Sequence, residues 1–205
     1  MKKYLTELVG TLFLVLIIGL TQNPLAIGFG LVVLVYMGAH LSGAHYNPAV
    51  SLAMLLNKEI DTVDFLKYVL AQILGATLGA YLVFTLSSGM VVQPNLDESV
   101  YAILLAEVLF TYLLVLVILN VACHPNLKGN SFYGIAIGLT VMAGAYSVGG
   151  LSGGVFNPAV SIGPSIIDFI TGYGVSQHFL WYYLTAPIAG SILAVIHFNF
   201  IVKKD

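Results

Sequence analysis

Two asparagine-proline-alanine triplets are the residues of this sequence best suited to handling a solute. They lie within the stretches SGAHYNPAVS (42–51) and SGGVFNPAVS (152–161), which agree at seven of ten positions. Proline has a fixed φ and no N–H group, so it fits the first position of a helix. The side chains of Asn47 and Asn157 would then lie at two helix starts, where their amides can donate hydrogen bonds to a neutral molecule without trapping it.

The composition shows where such helices must lie. The chain has 205 residues, of which 59% are hydrophobic and 8% charged, and it contains no arginine. A soluble domain carries roughly 25% charged residues, so this chain cannot cover a water-facing surface. The composition therefore excludes a soluble enzyme, a disordered protein and a nucleic-acid binder, and it indicates a membrane protein. The lone Cys123 excludes an internal disulfide.

Six apolar stretches are long enough to cross a bilayer, which takes about 20 residues of helix. The first stretch has the basic start of a secretory signal, but it contains Glu7 and is echoed in mid-chain, which favours a first span. Two further apolar segments, 47–57 and 157–170, are too short to cross and predict re-entrant half-helices. The six predicted spans are 4–21, 25–41, 63–86, 100–121, 131–149 and 178–202.

The lysines predict the orientation of these spans. With six spans, every lysine falls on one side of the membrane, and the opposite loops hold none. The positive-inside rule then places both termini in the cytoplasm, with Asp97 and Glu98 in an outer loop. The lysines concerned are Lys2, Lys3, Lys58, Lys67, Lys128, Lys203 and Lys204.

An internal repeat divides the chain, predicted to be a single transmembrane domain over 1–205, into two halves. The triplet stretches repeat at an offset of 110, and ELVGTLFLVL from Glu7 is echoed by EVLFTYLLVL from Glu107 at an offset of 100. The halves, about 1–90 and 100–205, hold three spans each. Because three is odd, the second half must be inverted, which places a site near the bilayer midplane where the halves meet.

Irregular backbone is expected before each triplet, because Gly43, Gly153 and Gly154 allow an extended course in cramped space. In a membrane such backbone survives only inside protein or along a water-filled cavity, so its carbonyls predict a ladder of acceptors along a pore. Inversion points the two helix starts at each other, each with about half a positive charge. That positive centre opposes cations and protons.

The sequence resembles the aquaporins, the major intrinsic protein family of water and small-solute channels. The resemblance rests on both triplets, Glu7 and Glu107, the Ser-Gly-x-His run before the first triplet, and Gln72-Ile-Leu-Gly-Ala in the third span. It implies an all-α membrane protein with six tilted helices and two half-helices around one pore per subunit. It also implies a homotetramer in a plasma or bacterial inner membrane, with the lipid bilayer, water and small neutral solutes as partners. No cofactor, metal or enzymatic activity is expected.

The resemblance also assigns roles by position. The asparagines of the triplets Asn47-Pro48-Ala49 and Asn157-Pro158-Ala159 would be the central donors. Pore carbonyls would come from Gly43, Ala44, His45 and Tyr46, and from Gly153, Gly154, Val155 and Phe156. The narrow filter maps twenty residues before Asn47, twelve and three before Asn157, and three after it, which are Ile27, Ala145, Gly154 and Val160.

The filter departs from the family pattern. Typical members place arginine where this chain has Val160, and water-selective members add an aromatic residue and a histidine where it has Ile27 and Ala145. The departure predicts a wide, apolar filter that passes water, glycerol, urea or undissociated metalloid hydroxides. Two alternatives remain: Tyr146 or Phe156 could fill the vacated space and leave a strictly water-selective pore, or the broken helices could belong to a secondary transporter.

The two intramembrane carboxylates, Glu7 and Glu107, are costly to bury and therefore purposeful. Their symmetric placement favours a structural role, in which they accept hydrogen bonds from the irregular loops, over a proton relay. The spacing of His40 and His45 does not suit a helical metal pair. An intramembrane enzyme is disfavoured, because the spans show no serine-histidine dyad, metal-spaced cluster or aspartate pair.

Overall fold

The computed structural model describes residues 1–172 and 174–202. Within these ranges the chain forms eight α-helices and no strand, with α5 prolonged by a π-helical turn over Leu119–Cys123 and short 3₁₀ turns at Pro125–Leu127 and Ser176–Phe179. The helices are α1 (Lys2–Thr21), α2 (Pro24–Ser42), α3 (Pro48–Leu56), α4 (Thr62–Leu86), α5 (Val100–Ile118), α6 (Tyr133–Ser152), α7 (Pro158–Thr171) and α8 (Leu180–Val202).

Six of these helices are long and apolar enough to span a membrane, namely α1, α2, α4, α5 with its π-helical turn, α6 and α8 with the turn before it. The remaining two, α3 and α7, are the predicted half-helices. The all-α fold with six spans and two half-helices is thus confirmed, with helix ends that differ from the predicted bounds by a few residues.

Two faces follow from the number of crossings. We call the face that carries Met1 and the loops after α3 and α5 the terminal face, and the opposite one the distal face. The described lysines all belong to the terminal face, whereas Lys203 and Lys204 lie outside the described residues. At the terminal face Lys3 Nζ lies 2.5 Å from Asp64 Oδ2, and Tyr4 Oη donates to Asp64 Oδ1 at 2.7 Å. These contacts join the first turns of α1 and α4.

The helix starts are set by local capping. Pro24 opens α2, and Asn23 Oδ1 accepts from the N–H groups of Leu25 at 2.9 Å and Ala26 at 3.3 Å. A side-chain oxygen that accepts from the first turn satisfies donors that the helix itself cannot. Here an asparagine-proline pair does no more than start a helix, so the pair alone does not mark a site.

Matching helix pairs in the two halves pack through glycine. The α1–α4 contact of the first half corresponds to the α5–α8 contact of the second. A Cβ on Gly75 of α4 would lie 2.2 Å from the carbonyl oxygen of Leu8, and one on Gly190 of α8 would lie 2.4 Å from that of Val108. Such small residues let helices approach closely where lipid offers no hydrophobic driving force.

The close approach at Gly75 gives a stability prediction. Gly75→Ala is expected to lower the thermal unfolding midpoint in detergent by several degrees, because helix α1 must move away from the new methyl group and overpacking costs roughly 1–3 kcal/mol. Gly150→Ala in α6 is the matched control, since nothing lies within 4 Å of a Cβ there. Equal midpoints for the two variants would contradict the packing described here.

Candidate functional site

The two half-helices meet at their asparagines. Asn47 Nδ2 donates to the carbonyl oxygen of Phe156 at 2.8 Å, and Asn157 Nδ2 donates to that of Tyr46 at 2.9 Å. Each Oδ1 atom caps its own helix, accepting from Ala49 N at 2.9 Å and from Ala159 N at 3.0 Å. Each amide is therefore fixed with its oxygen toward one half and its nitrogen toward the other.

The loops before the half-helices are strained in matching places. The φ angles are +53° at Ala44 and +49° at Tyr46 in the first half, and +61° at Gly154 and +51° at Phe156 in the second. Left-handed backbone costs a non-glycine residue roughly 1–2 kcal/mol. Something in the surrounding structure must therefore hold these loops in place.

Glu7 holds the first loop. Its Oε1 accepts from Ser42 Oγ at 2.6 Å and from His45 N at 2.9 Å. Its Oε2 accepts from Tyr46 N at 2.7 Å and from Gln72 Nε2 at 2.8 Å. Four donors thus converge on one fully buried carboxylate, which satisfies the polar groups that the irregular backbone exposes.

Glu107 does the same for the second loop. Its Oε1 accepts from Ser152 Oγ at 2.7 Å and from Val155 N at 3.0 Å, and its Oε2 accepts from Phe156 N at 2.7 Å. The serine and the two backbone donors match those of the first half. The geometry favours the structural role that the sequence predicts for both carboxylates.

Two tyrosines and a glutamine in these networks were not assigned a role from the sequence. Tyr68 donates to the carbonyl oxygen of Ser42, and Tyr183 donates to that of Ser152, both at 2.7 Å. Four residues after Tyr68, Gln72 donates to Glu7 and to Ser51 Oγ. Four residues after Tyr183 stands Pro187, so the second half lacks this donor. The sequence did contain a signal for the two tyrosines, because Tyr68 and Tyr183 each lie on the third span of their half.

A cavity of about 310 Å³ runs past both asparagines. Ala44, His45, Val155 and Phe156 line it beside the triplets, together with Gly153 and Gly154. Neither Glu7 nor Glu107 lines it, which places the carboxylates behind the loops. Two residues predicted to supply carbonyl acceptors to the pore do not line this cavity. Gly43 caps the C-terminus of α2, and the Tyr46 carbonyl accepts from Asn157.

A profile of the family described as Major intrinsic protein matches residues 1–198. The chain belongs to this family. It is 39% identical to Glycerol uptake facilitator protein-like 6 of Lactiplantibacillus plantarum, over 95% of this chain and 95% of that protein. It is 33% identical to Nodulin-26 of Glycine max, over 100% of this chain and 79% of that protein. It is 30% identical to Aquaporin AqpM of Methanothermobacter marburgensis, over 88% and 76%.

The fold agrees with that of a solved member of the family. The X-ray structure of the aquaglyceroporin from Plasmodium falciparum superposes with a TM-score of 0.88, at 24% identity, over 98% of this chain and 96% of that one. The protein is thus a multi-pass membrane channel protein with the major intrinsic protein fold.

The four positions predicted to form a filter lie in the same cavity of this major intrinsic protein. Ile27, Ala145, Gly154 and Val160 all line it. Gly154 fits closely against α6, since a Cβ there would lie 3.3 Å from the Cα atoms of Ala145 and Gly149. The four positions that the resemblance selects are thus brought together, with aliphatic side chains and no charge among them.

The two aromatic residues that could fill the filter behave differently. Tyr146 is 62% exposed on the outside of the helix bundle and does not line the cavity. Phe156 does line it, but its ring packs against Phe110 with centroids 5.7 Å apart and lies over Gly144. Neither ring replaces the missing arginine, which weakens the alternative of a narrow, strictly water-selective filter.

The distal mouth of the pore contains residues to which the sequence assigned no role. Gln22 and the loop segment Met90–Gln93 line the cavity there. The loop is tied down by Val92 N donating to Ser176 Oγ and by Asn95 N donating to the Leu151 carbonyl, both at 3.0 Å. The first bond joins residues 84 positions apart in the chain and the second joins residues 56 positions apart. No local sequence pattern predicts either bond.

Proposed function

We propose that this protein is a passive channel for water and small uncharged solutes such as glycerol, urea or undissociated metalloid hydroxides. The observation that carries the proposal is the filter, in which Ile27, Ala145, Gly154 and Val160 line one cavity with the two asparagines. Steric exclusion is weak where these side chains stand in place of an arginine and aromatic rings. The name of the relative at 39% identity, a glycerol uptake facilitator, supports glycerol as one solute.

Charge exclusion is assigned to the meeting point of the half-helices. The starts of α3 and α7 face each other, and each carries about half a positive charge from aligned peptide dipoles. Cations and protons meet this field while neutral molecules do not. Each asparagine amide has two hydrogens, of which one binds the opposite loop and the other can reach a solute in the cavity.

Transport without a coupled ion, and without catalysis, fits this arrangement. Ion coupling normally uses ionisable groups in the pathway, and both buried glutamates stand behind the loops with their oxygens accepting from backbone. The major intrinsic proteins are channels, so we expect no enzymatic activity. Saturable uptake or a dependence on an ion gradient would contradict this assignment.

We further propose a homotetramer in a plasma or bacterial inner membrane, with both termini cytoplasmic. Family resemblance supports the tetramer, in which the cavity lined by each single chain would serve as a separate pore. The lysines on the terminal face support the orientation. Native mass spectrometry would test the assembly, and labelling in intact cells of cysteines placed at Lys58 and Asp97 would test the sidedness.

The decisive experiment is stopped-flow light scattering on proteoliposomes with water, glycerol and urea gradients. We expect fast conduction of water together with glycerol and urea permeabilities well above those of protein-free vesicles. Empty liposomes and liposomes with an unrelated helical membrane protein are the controls. Fast water conduction with exclusion of glycerol and urea would refute the wide filter and restore the strictly water-selective alternative.

A further inference from the structure

A second cavity, of about 290 Å³, lies beside the pore at the distal face. It is enclosed by the end of α4, the loop that follows, and the last turn of α7. Ser88, Met90, Val91, Asp168 and Thr171 contribute to its wall. Met90 and Val91 also line the pore, so one short segment separates the two spaces.

Asp168 contributes to the wall of this second cavity a carboxylate that has no counter-charge among the described residues. The residue is 3% exposed, and its Oδ2 accepts from Ser176 N at 2.7 Å. Its Oδ1 is buried and has no hydrogen-bond partner among the described residues, and Asp168 belongs to no ion pair there. A buried charge without a partner is expensive, so such groups are paired or bind cations.

The surrounding atoms decide which cation would fit. Ser88 and Thr171 add hydroxyl oxygens to the same wall, and Thr171 Oγ1 donates to the Ile167 carbonyl at 2.9 Å, which leaves its lone pairs free to coordinate. Oxygen ligands select hard cations. Calcium sites usually combine several carboxylates. Among the described residues no three His, Cys, Asp or Glu side chains form a cluster, so the cavity does not fit calcium. One negative charge is neutralised by one monovalent cation.

We propose that the Asp168 cavity binds a monovalent hard cation, sodium, with Asp168 Oδ1 as its charged ligand. Sodium bound there holds the distal mouth of the pore in its observed shape. The connection is short: Asp168 accepts from Ser176 N, and Ser176 Oγ accepts from Val92 N in the loop that lines the pore. The site is separate from the filter, so it regulates the mouth and does not select the solute.

The test compares sodium with N-methylglucamine, an organic cation that cannot be coordinated as a compact hard ion, at equal ionic strength and osmolarity. In detergent, sodium is expected to raise the unfolding midpoint of the wild-type protein by roughly 2–5 °C, with saturation, because ligand binding to the folded state alone stabilises it. Asp168→Asn removes the charge but keeps an oxygen for Ser176 N, and it is expected to abolish the sodium response. Asp97→Asn is the matched control, because Asp97 is exposed in the loop between α4 and α5, and this variant should retain the response.

Each other outcome overturns the proposal. Equal midpoints in the two cations would mean that Asp168 is protonated, or is charged and solvated by water alone. A sodium response that survives in Asp168→Asn would place the ion elsewhere. A larger response to calcium than to sodium, in the N-methylglucamine background, would contradict the monovalent assignment.

A measurement on the wild-type protein covers the case in which Asp168→Asn does not fold. Sodium NMR line broadening by the detergent-solubilised channel is expected to exceed that of empty micelles, to saturate, and to disappear on unfolding. Broadening no greater than that of the micelles would refute sodium binding. This result is independent of solute conduction, so it stands or falls apart from the proposed channel function.

Discussion

Glu7→Gln is expected to lower the unfolding midpoint of the purified channel more than any surface substitution. Both oxygens of Glu7 accept from a backbone N–H group, at His45 and at Tyr46. In either orientation, the new amide turns its own N–H hydrogens against one of those donors. A buried donor left without an acceptor costs roughly 1–3 kcal/mol, and the strained loop then loses one of its restraints.

The same substitution at Glu107 supplies an internal comparison. Its carboxylate also accepts from two backbone donors, at Val155 and Phe156, so Glu107→Gln is expected to cost about as much as Glu7→Gln. Thermal unfolding followed by far-ultraviolet circular dichroism would measure both, with the exposed Glu98→Gln as the control. A proton relay predicts the opposite pattern, in which the glutamine variants stay stable and only their ion coupling changes.

The sequence predicted those parts of the fold that local rules determine. Span length, the triplets and the repeat each depend on a few neighbouring residues. Fixed offsets from Asn47 and Asn157 selected four positions that line one cavity. Adjacent residues on a helix point about 100° apart, which is why Ala145 lines the pore while Tyr146 faces outward. The offset selected Ala145, which lines the cavity, without any knowledge of where the tyrosine ring would lie.

Contacts between distant segments could not be predicted in this way. The loop at Met90 and Val91 enters the pore mouth because Val92 is tied to Ser176. That bond depends on how α4, α7 and α8 pack, and packing is a property of the whole fold. Gln72 illustrates the same limit: the sequence showed it as part of a family motif, but its two partners, Glu7 and Ser51, became visible only in three dimensions.

Val160→Arg is expected to convert the wide filter into a narrow one. Val160 lies in the first turn of α7 and lines the cavity with Ile27 and Ala145. A guanidinium there would occupy the space beside two aliphatic side chains, in the cavity that Gln93 and Gly153 also line. We expect glycerol permeability to fall about tenfold or more, equivalent to roughly 1.4 kcal/mol in the barrier, while water conduction is largely retained.

Val160→Met separates bulk from charge in this experiment. Methionine is long, flexible and uncharged, so it narrows the filter without adding a fixed donor or a positive field. Stopped-flow measurements on both variants should therefore show a smaller loss of glycerol permeability for methionine than for arginine, whereas proton leak, followed with an internal pH dye, should fall for arginine alone. If both variants are well folded and conduct glycerol as the parent does, the side chain of residue 160 does not face the solute, and the missing arginine would have no part in selectivity.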